Sequence, residues 1–191
     1  GLRLIPTSFL NDLILEDFVH TKEITDKVDC FFRNLDKYKE FGIEIPKRGI
    51  FLYGPPGGGK SVALSRVSKK YSENADTAII VWDTNKWESY QVKDMVKAIN
   101  YVGVSKLILI IEDIGGGELS DRKQGADASL LSLLDNNEKT FTLPTCIIAT
   151  TNYPENFMAS LTNRSGRFDD KIHIDYPPSD VRQKLLNFFA K

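Results

Sequence analysis

The segment Gly54-Pro55-Pro56-Gly57-Gly58-Gly59-Lys60-Ser61 has the residue types and spacing needed to hold a chain of phosphates. It satisfies G-x-x-x-x-G-K-[ST]. Glycines let successive backbone N–H groups curl around phosphate oxygens and form an anion nest at the start of a helix. Lys60 is then placed to meet the β and γ phosphates of a nucleotide, and the Ser61 hydroxyl to ligate Mg²⁺. The plain alternative is a Gly-Pro turn ahead of a helix. A strand before the segment and a helix after it favour the phosphate reading.

A second constellation is acidic. Leu107–Ile111 is an apolar run that ends in Glu112-Asp113. In a parallel sheet the carboxyl ends of the strands face the ligand crevice, so both acids belong near the phosphates. One carboxylate can hold Mg²⁺ through its waters while the next positions and polarises an attacking water. Acids also end strands simply because solvent begins there; the phosphate loop tips the reading toward hydrolysis. His20 and His173 have no partners at metal-ligand spacing and read as structural or surface residues. Cys30 and Cys146 make neither a disulfide framework nor a metal-ligand set, so a reducing interior is expected.

These residues need elements to position them. Ile24, Val28, Phe31, Phe32, Leu35 and Tyr38 recur at helical spacing and predict one amphipathic helix over Lys22–Glu40, stopped at Gly42. Arg48–Tyr53 predicts a strand, and Ser61–Tyr71 a helix. The alternation continues with a strand Thr77–Trp82, a helix Val92–Tyr101, a strand Lys106–Ile111 and a helix Ala126–Leu134. Strands Thr145–Thr150 and Lys171–Ile174 and a helix Ser179–Ala190 complete it. Five short strands separated by helices predict an α/β fold, a mostly parallel sheet covered on both faces. Of 13 glycines, eight fall in two clusters, at 54/57/58/59 and 115/116/117/125. The first cluster fits phosphate contact; the second, in a polar stretch, reads as a surface loop.

Composition bounds the rest. The 191 residues suggest one domain or one large lobe of a larger machine. Lys and Arg number 25 against 26 Asp and Glu, a net charge of −1, which argues against a protein that coats nucleic acid through a basic surface. At 41% hydrophobic and 27% charged residues, a core and a polar surface can both form and wholesale disorder is excluded. No apolar run approaches the ~20 residues that span a bilayer. The chain starts at Gly1 without a signal-peptide pattern, so an intracellular, cytoplasmic protein is expected; a targeting segment removed ahead of Gly1 would leave no trace.

Gly54–Ser61, Glu112-Asp113, Thr150-Thr151-Asn152 and Arg164-Ser165-Gly166-Arg167-Phe168-Asp169 occur in the order and approximate spacing of the AAA family of ATPases, which the chain resembles from about Asp17 to its end. The resemblance implies a P-loop NTPase sandwich with sheet order 5-1-4-3-2, and ATP and Mg²⁺ as cofactors. It makes Gly54, Pro55, Pro56, Gly57, Gly58, Gly59, Lys60, Ser61 and Val62 the nucleotide-binding loop, with Lys60 and Ser61 as the Walker A residues. Glu112 and Asp113 become the Walker B pair, Glu112 on the metal side with Ser61 and Asp113 on the water side. The family usually has Asp before Glu; this chain carries the inverted order that some members share, which shortens the reach to water. Asn152 resembles the sensor-1 amide that helps orient the attacking water. Arg164 and Arg167 match arginines that act in trans on nucleotide held by the neighbouring subunit. Their alternatives are an exposed pair or an ion pair to Asp169 or Asp170.

By the same resemblance Asp17, Phe18 and Val19 line the adenine pocket. Residues 1–20 then form a lead-in and 21–191 the large α/β subdomain, with the family's helical lid absent or truncated after Lys191. Counting forward from Val81-Trp82, the family's pore-loop aromatic falls on Tyr90, with Trp87 three residues earlier. Packing on the sheet edge is the competing role for both. The leading expectation is an ATP-hydrolysing module of a homo-hexameric ring that remodels or threads a macromolecular client, a protein in preference to a nucleic acid. The alternatives are a helicase- or loader-type ATPase, a nucleotide-gated binding module with weak hydrolysis, and a small-molecule P-loop kinase. For the last, no acceptor pocket or phosphate-clamping lid is recognisable.

Overall fold

A computed structural model of the chain describes residues 19–83, 89–114, 134, 140–155 and 168–189. The elements in order are α1 (Val19–Arg33), α2 (Leu35–Glu40), β1 (Lys47–Tyr53), α3 (Lys60–Ser72), β2 (Thr77–Asp83), α4 (Ser89–Ile99), β3 (Lys106–Glu112), β4 (Thr145–Thr151), β5 (Asp170–His173) and α5 (Ser179–Phe189). The strands form one sheet in the order β2-β3-β4-β1-β5, the same as the expected 5-1-4-3-2. Every pairing is parallel, so the "mostly parallel" expectation sharpens to fully parallel among the described residues.

The sheet is buried on both faces, which is why its strands read as continuous apolar runs. One face presents Ile50, Leu52, Ile108, Ile110, Cys146, Ile148 and Ile172 to α1 and α3, which answer with Ile24, Val28, Phe31, Ala63, Leu64 and Val67. The opposite face presents Phe51, Leu107, Leu109, Ile111, Ile147 and Ala149 to Val92 and Val96 of α4 and to Leu134, Phe141 and Phe168. Each fully buried aliphatic or aromatic side chain contributes about 1.5–3 kcal/mol relative to an exposed one. Cys146 lies in that core, and burial pushes its thiol well above the usual range, so it packs as a small hydrophobe; Cys30 is exposed.

The single helix predicted over Lys22–Glu40 is two helices. The Asn34 side-chain amide donates to the Cys30 carbonyl at 2.6 Å, taking an acceptor at which a continuous helix would seat a backbone N–H, and the chain restarts at Leu35. α1 is tied to α3 through Asp29, which accepts from the Lys70 amine and the Tyr71 hydroxyl. Burial opposes the charge on Asp29, but those two hydrogen bonds outweigh it and hold its carboxyl below the usual value.

The short edge strand β5 is latched electrostatically. Asp170, its first residue, accepts from Lys27 of α1 at 2.9 Å through one oxygen and from the Arg48 guanidinium of β1 at 2.7 and 2.9 Å through the other. Asp169 and Gly49 add a reciprocal pair, with the Asp169 N–H donating to the Gly49 carbonyl and the Gly49 N–H to the Asp169 carboxylate, both at 2.9 Å. No helix among the described residues is long and apolar enough to cross a membrane.

Candidate functional site

β1 delivers the chain into the phosphate loop at Tyr53, and α3 begins at Lys60. Between them Gly54, Gly57 and Gly59 have φ of 146°, 82° and 97°, conformations that L side chains rarely adopt. Gly54 is also demanded by close approach, since a Cβ there would lie 2.0 Å from the Ile174 carbonyl oxygen. At Gly58 the same carbonyl would be 2.9 Å away and that of Asp175 3.1 Å. The exit of β5 therefore abuts the loop, fixed by the Ile174 N–H donating to the Tyr53 carbonyl at 2.8 Å. Sequence reasoning gave these glycines to the phosphates alone; two of them also make room for β5, a contact that no local signal encodes.

Lys60 is only 7% exposed, and its Nζ donates to the Gly54 and Pro55 carbonyls at 2.7 and 2.8 Å. Burial lowers its pKa, and the nearby Asp113 carboxylate pulls partly the other way. The start of α3 has no side-chain cap on Gly59 and no acid in its first turn, so its positive end is not neutralised from within the helix. A buried cation, glycines at positive φ and an uncapped helix start together suit a polyphosphate. The residues present fit that group.

β3 brings Glu112 and Asp113 to the same edge of the sheet. Alternation along the strand carries Ile108, Ile110 and then Glu112 onto the face covered by α3, beside Asp83 of β2 in the parallel register. That is the side Ser61 starts from, although among the described residues no group of three or more His, Cys, Asp and Glu is arranged to hold a metal by itself. Ser61 and Glu112 remain the residues expected on the metal side.

Asp113 breaks the strand. It is the sole non-glycine with positive φ among the described residues, at 51°. The β3–β4 ladder runs to Ile111 opposite Ala149 and then gives way to irregular bonds. The Asp113 N–H donates to the Thr150 hydroxyl at 3.0 Å, and the Ile114 N–H to the Thr150 carbonyl at 2.8 Å. The Thr151 hydroxyl donates to the Ile114 carbonyl at 2.7 Å and accepts from the Tyr153 N–H at 3.0 Å. The Asn152 amide donates to Asp113 Oδ1 at 2.8 Å. Asp113 and Asn152, singled out separately in the sequence, are thus in direct contact. Thr150, quoted there only as part of a motif, carries the bond that sequence reasoning missed. The available signal was a polar β-branched residue closing an apolar strand.

Tyr90 lies in the first turn of α4 and is 62% exposed, so it does not pack on the sheet edge. His173 leans on Tyr53, with ring centroids 5.1 Å apart, and His20 faces Glu23 at 3.6 Å. Val19 begins α1. Asp17, Phe18, Trp87, Arg164 and Arg167 lie outside the described residues, as do the second glycine cluster and all of the predicted helix Ala126–Leu134 except Leu134.

Comparison with known proteins places this geometry. Residues 50–176 match the model of the ATPase family associated with various cellular activities (AAA). The ATP-dependent zinc metalloprotease FtsH 3 of Synechocystis sp. is 28% identical over 88% of this chain and 28% of its own length. The probable mitochondrial chaperone bcs1 of Schizosaccharomyces pombe is 30% identical over 95% of this chain and 40% of its own. A Corynebacterium urealyticum protein described as an AAA ATPase forming ring-shaped complexes is 25% identical over 98% of this chain and 41% of its own. The chain spans well under half the length of each of these relatives. The family match covers more than half of the chain and runs from the middle of β1 to just beyond β5, and the chain belongs to the AAA family of ATPases.

Proposed function

We propose that this chain is the nucleotide-binding and ATP-hydrolysing α/β unit of a ring-forming motor that remodels or threads a protein client. The observation that carries the hydrolytic part is the meeting of Lys60, Asp113 and Asn152 at the carboxyl edge of the sheet. There Asn152 fixes one oxygen of Asp113, and the Asp113 charge acts on Lys60.

In this reading Gly54–Val62 surrounds the phosphates with backbone N–H groups. Lys60 exchanges its bonds to the Gly54 and Pro55 carbonyls for the β and γ phosphates. Ser61 and Glu112 would hold Mg²⁺, which would supply neutralisation of the charge developing on the phosphate oxygens. Asp113 orients and polarises the attacking water with its second oxygen, while Asn152 keeps the carboxylate from rotating. Asp17, Phe18 and Val19, in the lead-in 1–20 and at the start of α1, complete the adenine pocket of the subdomain that follows.

Ring assembly rests on the relative described as forming ring-shaped complexes and on Arg164 and Arg167 acting across the subunit boundary. Both oxygens of Asp170 are already bonded to Lys27 and Arg48, which disfavours Asp170 as the partner of Arg164 or Arg167 within the chain. Relatives described as a metalloprotease and a chaperone, the net charge of −1 and the exposed Tyr90 favour a protein client; Trp87 would stand beside Tyr90 in that contact. The decisive variant is Asp113→Asn. It is expected to bind a fluorescent ATP analogue within about twofold of wild type while hydrolysis falls by about 100-fold or more. Wild-type turnover would remove Asp113 from the chemistry.

A further inference from the structure

We propose that Thr150 is a positioning residue for hydrolysis, its hydroxyl accepting the Asp113 N–H and thereby holding the Asp113 carboxylate in the left-handed turn that aims it toward the phosphate loop. The inference rests on the hydrolytic reading of Asp113 given above.

A parallel ladder supplies each N–H with a carbonyl from the neighbouring strand. Here the ladder stops at Ile111 opposite Ala149, two residues before Asp113. Thr150 meanwhile remains in β4, paired with Leu52 of β1, and is 5% exposed. It is therefore a rigid point, held by the strand in the middle of the sheet, next to a backbone that has just left its register. It grips that backbone twice, taking the Asp113 N–H on its hydroxyl and the Ile114 N–H on its carbonyl. Only the first of these depends on the identity of residue 150. Alanine or valine would keep the carbonyl bond and leave the Asp113 N–H without its acceptor.

Positive φ is sparsely populated by non-glycine residues, and although aspartate tolerates it better than most, bonds from its surroundings hold it there. Asp113 is paired on both sides, its N–H with Thr150 and its carboxylate with Asn152. The two bonds act on different atoms, so they fix both the peptide direction and the rotation of the side chain. Direction matters more for aspartate than for glutamate, whose extra methylene of about 1.5 Å could compensate for a misplaced backbone. The inverted Glu112-Asp113 order thus makes an anchor for the second acid necessary, and Thr150 is the hydroxyl that provides it.

The test uses the full-length protein, with steady-state ATPase kinetics and direct nucleotide titration side by side. Thr150→Val keeps the shape of the side chain and removes the oxygen. Its kcat is expected to fall about tenfold while nucleotide affinity stays within about twofold, the split that loss of a purely transition-state arrangement produces. Thr150→Ser restores the acceptor and should recover most of the rate. Thr150→Ala, which introduces no new methyl group, gives the same split where the valine variant fails to fold. Wild-type kcat in Thr150→Val, an equal loss of affinity and rate, or a serine variant as impaired as valine would each overturn the role of Thr150. Asp113→Asn, run alongside, separates the two levels. If that variant hydrolyses normally, the reading of Asp113 fails and the positioning role with it. If it is inactive while Thr150→Val is normal, only Thr150 is refuted.

Discussion

The phosphate loop and the Asp113 corner lie on the same edge of the sheet and are built in opposite ways. The loop is local. Gly54 to Lys60 are consecutive, and their function lies in the backbone, bent at Gly54, Gly57 and Gly59 and closed over the buried Lys60 amine. The corner is assembled from residues nearly forty positions apart in the chain, Asp113 just past the end of β3 and Thr150 to Asn152 at the end of β4, and its function lies in side chains. A backbone site demands particular residue types at fixed spacing, so it shows as a motif. A side-chain site depends on which residues two neighbouring strands bring together, so its members keep no fixed spacing in the chain and few leave a mark.

The largest effect expected anywhere in the molecule comes from adding one carbon to the loop. Gly54→Ala places a Cβ against the Ile174 carbonyl at a separation of 2.0 Å, on a φ of 146°. Neither the loop nor β5 can yield without breaking the Tyr53–Ile174 hydrogen bond. The cost is about 3 kcal/mol of stability, together with loss of nucleotide binding. Chemical denaturation and titration with a fluorescent nucleotide measure both. A Gly54→Ala protein with wild-type stability would mean that the loop tolerates ordinary residues, and the contrast between a backbone site and a side-chain site would collapse.

An intermediate effect is expected at the corner. Asn152→Ala removes the donor to Asp113 Oδ1 but leaves the Thr150 bond to the Asp113 N–H intact. The carboxylate gains rotational freedom without losing its backbone position. Turnover should fall about tenfold, with nucleotide affinity little changed and stability lowered by about 1 kcal/mol. Rate loss here with affinity preserved, set against affinity loss at Gly54, would show that one region binds and the other reacts. Equal losses of affinity and rate at Asn152 would merge the two regions into one.

The same division explains what was legible in the sequence. Among the described residues the five strands came within a few residues, because a sheet buried on both faces writes itself as apolar runs such as Leu107–Ile111. The phosphate loop was legible in full as a motif. The sequence singles out Glu112, Asp113 and Asn152 individually, but not the bond from Asn152 to Asp113 nor the left-handed turn, since both depend on β3 and β4 lying side by side. The sheet order came from family resemblance and not from the strands themselves, whose parallel pairings carry no local signature. The break at Asn34 escaped because the flanking apolar spacing is compatible with one helix. What divides it is a side-chain amide competing for a carbonyl, which a periodicity argument does not see.

The smallest effect is also the most selective. Asp170 fastens β5 to β1 and α1, and the exit of β5 is what presses on Gly54 and Gly58. Burial disfavours the Asp170 charge, but hydrogen bonds from Lys27 and Arg48 and their positive charges overcome it, so its carboxyl titrates below the usual aspartate value. A carboxyl with a lowered folded-state pKa contributes stability that is complete above the unfolded value of about 3.9 and disappears as pH falls through the folded value. Asp170→Asn should therefore be less stable than wild type by about 1 kcal/mol, a deficit unchanged from about pH 7 down to about pH 5 that closes in stronger acid, where wild type loses the same charge. Denaturation midpoints across that range give the curve, and a deficit that persisted in acid strong enough to protonate Asp170 in the folded protein would show that the substitution disrupts packing and not only an ion pair. The latch acts on the loop side of the edge and makes no bond to Asp113 or Asn152. Nucleotide affinity should consequently weaken by about twofold while kcat at saturating ATP holds, the reverse of the pattern at Asn152. A fall in kcat without loss of affinity would mean that β5 acts on the corner through a route other than the phosphate loop.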